Sequence, residues 1–306
     1  MSLLRSFFIT LSERRRLRAF AEQTSLGRKL SQRFVAGTGM DDAIAVAQKL
    51  NAAGISVTLD ALGENVSDEA QAQRAGAIYE ELLQRIGALK LDANVSLKLT
   101  QMGMDLPGGV AERIVAQLAR QATAIGSFVR VDMEGSPYTE ATIQLVRRIH
   151  AVPEQKEIGI VLQSYLRRTQ ADMHALLAEG IRIRLCKGAY QEPAEIAFAA
   201  KADVDANYIA LMQELLTSGI YHGLATHDEA IIEQTKVFAA ANKIDLQSFE
   251  FQMLYGIRRD LQETLVKQGY RVRVYVPFGK EWYPYFMRRL AERPANAIFL
   301  AKNLFR

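Results

Sequence analysis

From Ile55 onward, short runs of apolar residues alternate with longer stretches in which apolar positions recur every three or four residues. The short runs are ISVTLD from Ile55, VSLKL from Val95, FVRVDM from Phe128, IGIVLQ from Ile158, IRIRLCKG from Ile181, LATH from Leu224, FEFQML from Phe249 and VRVYVP from Val272. Runs of this length and make-up predict buried strands, and the stretches between them predict amphipathic helices. Ser67 is placed to cap a helix running to Leu89, with Asp68 and Glu69 in its first turn, where the positive helix end favours carboxylates. Thr139-Glu140 opens a helix ending near His150, and Asp228-Glu229 opens one reaching Asn242. Leu261, Leu265 and Gln268-Gly269 mark a helix that stops on glycine just before the last strand.

Eight strand starts with a helix-sized stretch between each pair predict an α/β fold built as a closed parallel barrel. The competing architecture is a doubly wound open sheet, whose dinucleotide-binding form carries a glycine fingerprint after its first strand. Here that turn reads Leu59-Asp60-Ala61-Leu62-Gly63-Glu64 and lacks GxGxxG. In a barrel the loops after the strands converge on one mouth, so polar residues at strand ends become site candidates. These are Asp60, Lys98, Asp132, Gln163, Arg184 with Lys187, Thr226 with His227, Gln252 and Tyr275. Charge inside apolar runs is costly unless paired, and structural ion pairs within the barrel are the plainer explanation for any single one of them.

The 306 residues carry 38 Lys+Arg against 34 Asp+Glu, a net charge of +4 spread thinly along the chain. No helix-turn-helix or basic stripe accompanies that excess, so no nucleic-acid partner is expected. A single cysteine, Cys186, excludes an internal disulfide framework and points to a reducing, cytoplasmic setting. No run approaches a transmembrane length, and the histidines show no metal-ligand spacing. Leu4, Phe7, Phe8 and Leu11 predict an amphipathic N-terminal helix, followed by Arg14, Arg15, Arg16 and Arg18. The arginines form either a solvated face or a contact with an anionic membrane surface. Residues 1–45 are therefore expected to form a helical arm and 46–306 the barrel.

Two segments carry candidate chemistry. In Arg182-Ile183-Arg184-Leu185-Cys186-Lys187-Gly188-Ala189-Tyr190, Arg184 and Cys186 alternate with Ile183 and Leu185, so one pair faces the barrel lumen. Gly188 and Ala189 leave backbone N–H groups open, as a phosphate-cradling turn requires, and Lys187 is a candidate Schiff-base lysine. The second is Tyr275-Val276-Pro277-Phe278-Gly279 with Tyr285, Arg288, Arg289 and Glu292 beyond it. There, Pro284 suits the first turn of a short helix on which Arg288 and Glu292 share a face.

The motifs RLCKGAYQEP, ATHDE, FEFQMLYG and YVPFG…YFMRRLAE, in that order, with FVRVDMEG and IVLQSYLRR, closely resemble the monofunctional bacterial proline dehydrogenases. The resemblance runs from about Ile55 to Asn296. It implies a distorted (βα)8 TIM barrel preceded by N-terminal helices, which binds FAD noncovalently and oxidises L-proline to Δ1-pyrroline-5-carboxylate. The electrons then pass to a membrane quinone. Matched residue by residue, the resemblance implies that Asp132 and Arg184 are catalytic, with Arg184 near the flavin N5 edge. It implies that Lys98, Arg288 and Arg289 meet the proline carboxylate, while Tyr275 and Leu254 line the proline ring. Met133, Gln163, Lys187, Gly188, Ala189, Thr226 and His227 match flavin contacts.

The physical chemistry of proline agrees with these matches. Arginine can hold its carboxylate bidentately, and tyrosine and leucine surfaces suit its apolar ring. Glu64, just past the first strand, faces the eighth strand's neighbourhood in a closed barrel and is a candidate gate to Arg288 or Arg289. A Schiff-base aldolase using Lys187 or Lys98 is the rival enzyme reading, and a DNA-binding or ligand-binding barrel the rival outside enzymology.

Overall fold

The computed structural model describes residues 33–63, 65–283, 285 and 287. Eight strands close into a parallel barrel in sequence order: β1 (Ser56–Ala61), β2 (Ala93–Leu97), β3 (Val129–Val131), β4 (Ile158–Gln163), β5 (Arg182–Cys186), β6 (His222–Ala225), β7 (Phe249–Leu254) and β8 (Arg271–Phe278). Closure is made by β8 against β1, with Thr58 opposite Tyr275 and Asp60 opposite Pro277. Helix α1 (Met40–Ala52) precedes β1. The strands are followed by α2 (Glu69–Leu89), α3 (Val110–Ala124), α4 (Ser136–His150), α5 (Thr169–Ala178), α6 (Lys201–Thr217), α7 (Glu229–Ala241) and α8 (Arg259–Lys267). The expected N-terminal amphipathic helix lies outside the described residues. Among those described, no helix is long and apolar enough to cross a membrane.

Two helix starts differ from the sequence expectation for local reasons. Helix α2 is capped by Asp68, whose carboxylate accepts from the Gln71 N–H at 2.9 Å, while the Ser67 hydroxyl instead accepts from the Gln71 side chain. Helix α4 begins at Ser136, three residues before Thr139, because Pro137 fits a first turn that has no use for its missing N–H. Asp228 caps α7 as expected, accepting from the Ala230 N–H.

The period-two alternation of the strands sorts the barrel into two environments. Val57, Leu59, Val95, Leu97, Val129, Val131, Ile183, Leu185, Phe251, Val274 and Val276 are fully buried against the helix layer, where the apolar core sits. The lumen-facing set is polar and charged, including Thr58, Asn94, Ser96, Arg130, Arg184, Glu250 and Gln252, all buried. Among these, Arg130 donates to the Ile160 and Arg182 carbonyls at 2.9 and 2.7 Å. A smaller apolar cluster of Phe34, Val35, Ile257, Trp282, Tyr283, Tyr285 and Met287 stands beside the main core, so Trp282 is a packing residue.

His222 opens β6 fully buried, accepting from the Ile183 N–H at 3.0 Å through Nδ1 and meeting the Ser218 hydroxyl at 3.0 Å through Nε2. Burial, with nearby Arg130, lowers its pKa to about 3. A histidine held neutral in the folded chain but free to protonate when unfolded stabilises the fold above its ordinary pKa of 6.5. That stability is lost as the pH falls from about 6.5 toward 3. Urea unfolding at pH 7, 6 and 5 is expected to show a slope of about 1 kcal/mol per pH unit from this group. The His222→Asn variant should have a shallower slope, and an equal slope in both proteins contradicts the assignment.

Candidate active site

At the C-terminal mouth of the barrel, Asp132 follows β3 directly, and its backbone N–H donates to the Leu97 carbonyl at 2.8 Å. Its carboxylate is shared among three strands. Oδ1 accepts from Ser96 Oγ at 2.7 Å and from Arg184 Nη1 at 2.9 Å, and Oδ2 accepts from the Tyr275 hydroxyl at 2.8 Å. Arg184 also donates from Nε to Gln252 Oε1, and its guanidinium carbon lies 5.4 Å from the Tyr275 ring centroid. The Tyr275 hydroxyl is pushed well above its ordinary value, by burial and then by the neighbouring Asp132 charge. It therefore stays protonated as a donor.

Lys98, just past β2, places Nζ 3.8 Å from Asp60 Oδ2 and 4.0 Å from Asp132 Oδ2. Asp60 is the more buried of the two carboxyls, at 1% exposure, and burial raises its pKa while Lys98 opposes the shift. The Tyr79 hydroxyl stands 3.2 Å from Asp60 Oδ1 and 3.2 Å from Gln101 Oε1. Two carboxylates, one ammonium and one guanidinium thus lie at one end of the lumen, with phenols as neutral donors.

A second cluster lies just past β5. Lys187 Nζ contacts Asp205 Oδ1 at 2.6 Å and Asp228 Oδ2 at 2.8 Å, so its ammonium is engaged by two carboxylates. The hydrogen bond from Lys187 is the main reason that the Asp228 carboxyl is held below its ordinary range. The Asp228 N–H donates to Thr226 Oγ1 at 3.1 Å, and the Leu254 N–H donates to His227 Nε2 at 3.0 Å. Gly188 follows with φ of +107°, and a Cβ there would fall 2.2 Å from the Tyr165 ring. Only glycine tolerates both that backbone and that approach. Burial pushes the Cys186 thiol up to about 12, which keeps it from acting as a thiolate at neutral pH.

The structure therefore brings Lys98, Asp132, Arg184 and Tyr275 into one hydrogen-bonded and ionic group, and gathers Lys187, Gly188, Thr226 and His227 around the neighbouring β5–β6 mouth. Met133 and Gln163 are buried at the ends of β3 and β4, and Leu254 is half-buried at the end of β7. Ala189 follows Gly188 in the loop after β5. Glu64, Arg288 and Arg289 lie outside the described residues. Sequence reasoning missed Ser96, Glu250, Asp205 and Tyr79. The first two were detectable, since each lies two residues before a strand-end candidate and shares its face. Among the described residues no three His, Cys, Asp or Glu side chains group as a metal site requires.

A family profile described as proline dehydrogenase matches residues 43–302. The chain belongs to the proline dehydrogenase family. Curated proline dehydrogenases from Deinococcus radiodurans and from Bacillus subtilis subsp. natto (proline dehydrogenase 1) are 40% and 39% identical to it. Each alignment covers 99% of this chain, with 98% of the Deinococcus protein and 100% of the Bacillus one. The barrel also superposes on a crystal structure of proline utilization A (PutA) from Bdellovibrio bacteriovorus inactivated by N-propargylglycine, with a TM-score of 0.81 and 28% identity. That match covers 87% of this chain and 33% of the much longer PutA chain. This proline dehydrogenase is thus an oxidoreductase of proline catabolism on an α/β barrel, which sets aside the aldolase and DNA-binding readings.

The shared carboxylate generates a stability prediction. Asp132→Ala leaves the Arg184 guanidinium buried without its counter-ion and is expected to cost about 3 kcal/mol of unfolding free energy. Lys98→Met removes contacts of 3.8 and 4.0 Å, longer than the Arg184–Asp132 pair, and should cost less than Asp132→Ala. Urea denaturation of both variants checks the order, and a greater loss for Lys98→Met contradicts the geometry.

Proposed function

We propose that this proline dehydrogenase binds FAD noncovalently across the barrel mouth and oxidises L-proline to Δ1-pyrroline-5-carboxylate there. Three features of the mouth suit such a group. Gln163 Oε1 and Arg184 Nη2 are buried polar atoms with no hydrogen-bond partner in the protein, and each can take a heteroatom of a flavin ring. Gly188, whose φ of +107° and close approach to the Tyr165 ring admit no side chain, turns the chain tightly as it leaves β5. The observation that carries the reading is a buried arginine with one unsatisfied N–H end, held beside a carboxylate at the centre of the mouth.

In this reading Met133, Gln163, Arg184, Lys187, Gly188, Ala189, Thr226 and His227 hold the cofactor. Bound FAD supplies a two-electron acceptor that takes a hydride at N5. Arg184 provides fixed positive charge where negative charge grows on reduction, and its pairing with Asp132 costs no reorganisation at that moment. Asp132 acts by orienting Arg184 and the Tyr275 hydroxyl together. Lys98, Arg288 and Arg289 bind the proline carboxylate, and the Tyr275 ring with Leu254 bounds its apolar methylenes. Glu64 gates the mouth by pairing with Arg288 or Arg289. Because Lys187 is engaged by Asp205 and Asp228, its part is to hold the cofactor rather than to attack a carbonyl.

A quinone re-oxidises the enzyme, and the basic amphipathic N-terminal segment brings a cytoplasmic protein to the membrane surface where such an acceptor resides. By kinship with the Bdellovibrio PutA, N-propargylglycine is expected to inactivate this chain as well.

The purified protein should be yellow, and its flavin bands should bleach on adding L-proline under anaerobic conditions. A colourless protein that oxidises proline overturns the cofactor assignment. If Arg288 and Arg289 clamp the carboxylate, Arg289→Met should raise KM for proline at least about tenfold with FAD still bound. Arg289→Lys should recover only part of this, since one ammonium cannot reproduce the planar fork. Tetrahydrofuroic acid should lose potency as an inhibitor of Arg289→Met. An analogue without the carboxylate should be indifferent, and equal losses for both analogues refute the clamp.

A further inference from the structure

The proposed reading leaves one side of Arg184 unexplained. While Nη1 meets Asp132 and Ser96, Nε donates to the side-chain carbonyl of Gln252, which is 6% exposed. At its other end, the Gln252 amide nitrogen donates to Glu250 Oε1 at 2.5 Å. Arginine offers only donors and an ionised carboxylate only acceptors, so both neighbours demand the same orientation of the amide. The carbonyl of Gln252 is thereby committed to Arg184.

Glu250 is itself held firmly. Arg273 Nε contacts its two oxygens at 2.8 and 3.0 Å, and the Tyr221 hydroxyl donates to Oε2 at 2.8 Å. Burial works against the carboxylate, but Arg273 together with the hydrogen bonds from Tyr221 and Gln252 more than offsets it, holding the group below its ordinary range. Arg273 continues to the Val57 carbonyl at 2.8 Å, which anchors the column to β1. Space for the amide is made on the adjacent strand. A Cβ at Gly223 in β6 would fall 2.3 Å from Gln252 Nε2, so glycine there clears the position that the amide occupies.

We propose that Gln252, locked in orientation by Glu250, is a positioning residue that fixes the Arg184 guanidinium for its role beside the flavin. The proposal rests on the reading of Arg184 as the cation facing the cofactor. With Nε and Nη1 both held, the guanidinium cannot turn about its Cδ–Nε bond, and Nη2 is the end left with no hydrogen bond to protein. Without Gln252, Nε becomes an unmatched buried donor and the group is held from the Asp132 side alone. It is then drawn toward that carboxylate, and less of its charge is available to a reduced ring.

The test is the flavin midpoint potential of the holoenzyme, measured with FAD affinity, kcat and KM, for wild type, Arg184→Met, Gln252→Met, Glu250→Gln and the Arg184→Met/Gln252→Met double variant. Gln252→Met should lower the potential by about 30 mV, a tenfold disfavouring of the reduced state for a two-electron couple. Its kcat should fall about tenfold with KM for proline changed less than twofold. Glu250→Gln should shift the potential in the same direction, and Gln252→Met should add nothing in the Arg184→Met background. A potential unmoved in Arg184→Met overturns the flavin-facing reading of that arginine, and the relay with it. A potential lowered in Arg184→Met but unmoved in Gln252→Met overturns the relay alone, as does an additive double variant. Should Gln252→Met fail to retain FAD, Glu250→Gln and Gly223→Ala carry the same decision. Both leave Gln252 in place; Gly223→Ala disturbs the setting of its amide alone, whereas Glu250→Gln also removes the counter-ion of Arg273.

Discussion

A guanidinium enclosed in a parallel barrel must be neutralised without water, and the arrangement around Arg184 follows from that requirement. Asp132 supplies the charge, Ser96 and Tyr275 satisfy the carboxylate's remaining lone pairs, and Gln252 takes the Nε hydrogen. Each partner stands on or just past a different strand, so the pairing ties β2, β3, β5, β7 and β8 to one point. Glu250 and Arg273 extend the same logic toward the base of the barrel. The lumen is thus filled by ionic hydrogen bonding where barrels of this class are often filled by branched aliphatics.

This filling also explains how a site of fixed charges and a stable fold coexist in one set of strands. The apolar stabilisation is made on the outer face, between strands and helices, where Val57, Val95, Val131, Ile183 and Val274 are fully buried. Inside, burial weakens screening, so the same contacts that satisfy Arg184 also fix its place. Preorganised charge of this kind needs no rearrangement during a reaction.

The barrel was legible because the strand runs keep their apolar period through every interruption. Arg184 and Cys186 alternating with Ile183 and Leu185 foretold that one pair would face the lumen and the other the helices, and the strand-end residues Lys98, Asp132 and Tyr275 meet as the topology demands. Less was visible where the partner came from another part of the chain. Asp205, which pairs with Lys187, lies inside α6 and reads locally as one more acidic residue on a helix. Tyr79, beside Asp60, reads as an ordinary core aromatic of α2. Ser96 and Glu250, by contrast, were within reach of the sequence, each one lumen position deeper than a strand-end residue on the same face. Helix starts shifted by one to three residues because an Asp cap and a first-turn proline outweighed the nearby Ser and Thr.

The division of β3, β5, β7 and β8 into an apolar outer set and an inner set that carries charge has a consequence for how the chain reaches its native pairing. A slip of one residue would turn the two sets about, pressing Arg184 or Glu250 into the helix layer and aiming valines at the lumen. In an all-apolar barrel such a slip exchanges one aliphatic for another and is weakly penalised. In β3, β5, β7 and β8 it strands a charge, so a misaligned pairing of those strands is heavily penalised. The buried ions that equip the mouth for chemistry also act as a spelling check on strand alignment while the barrel closes.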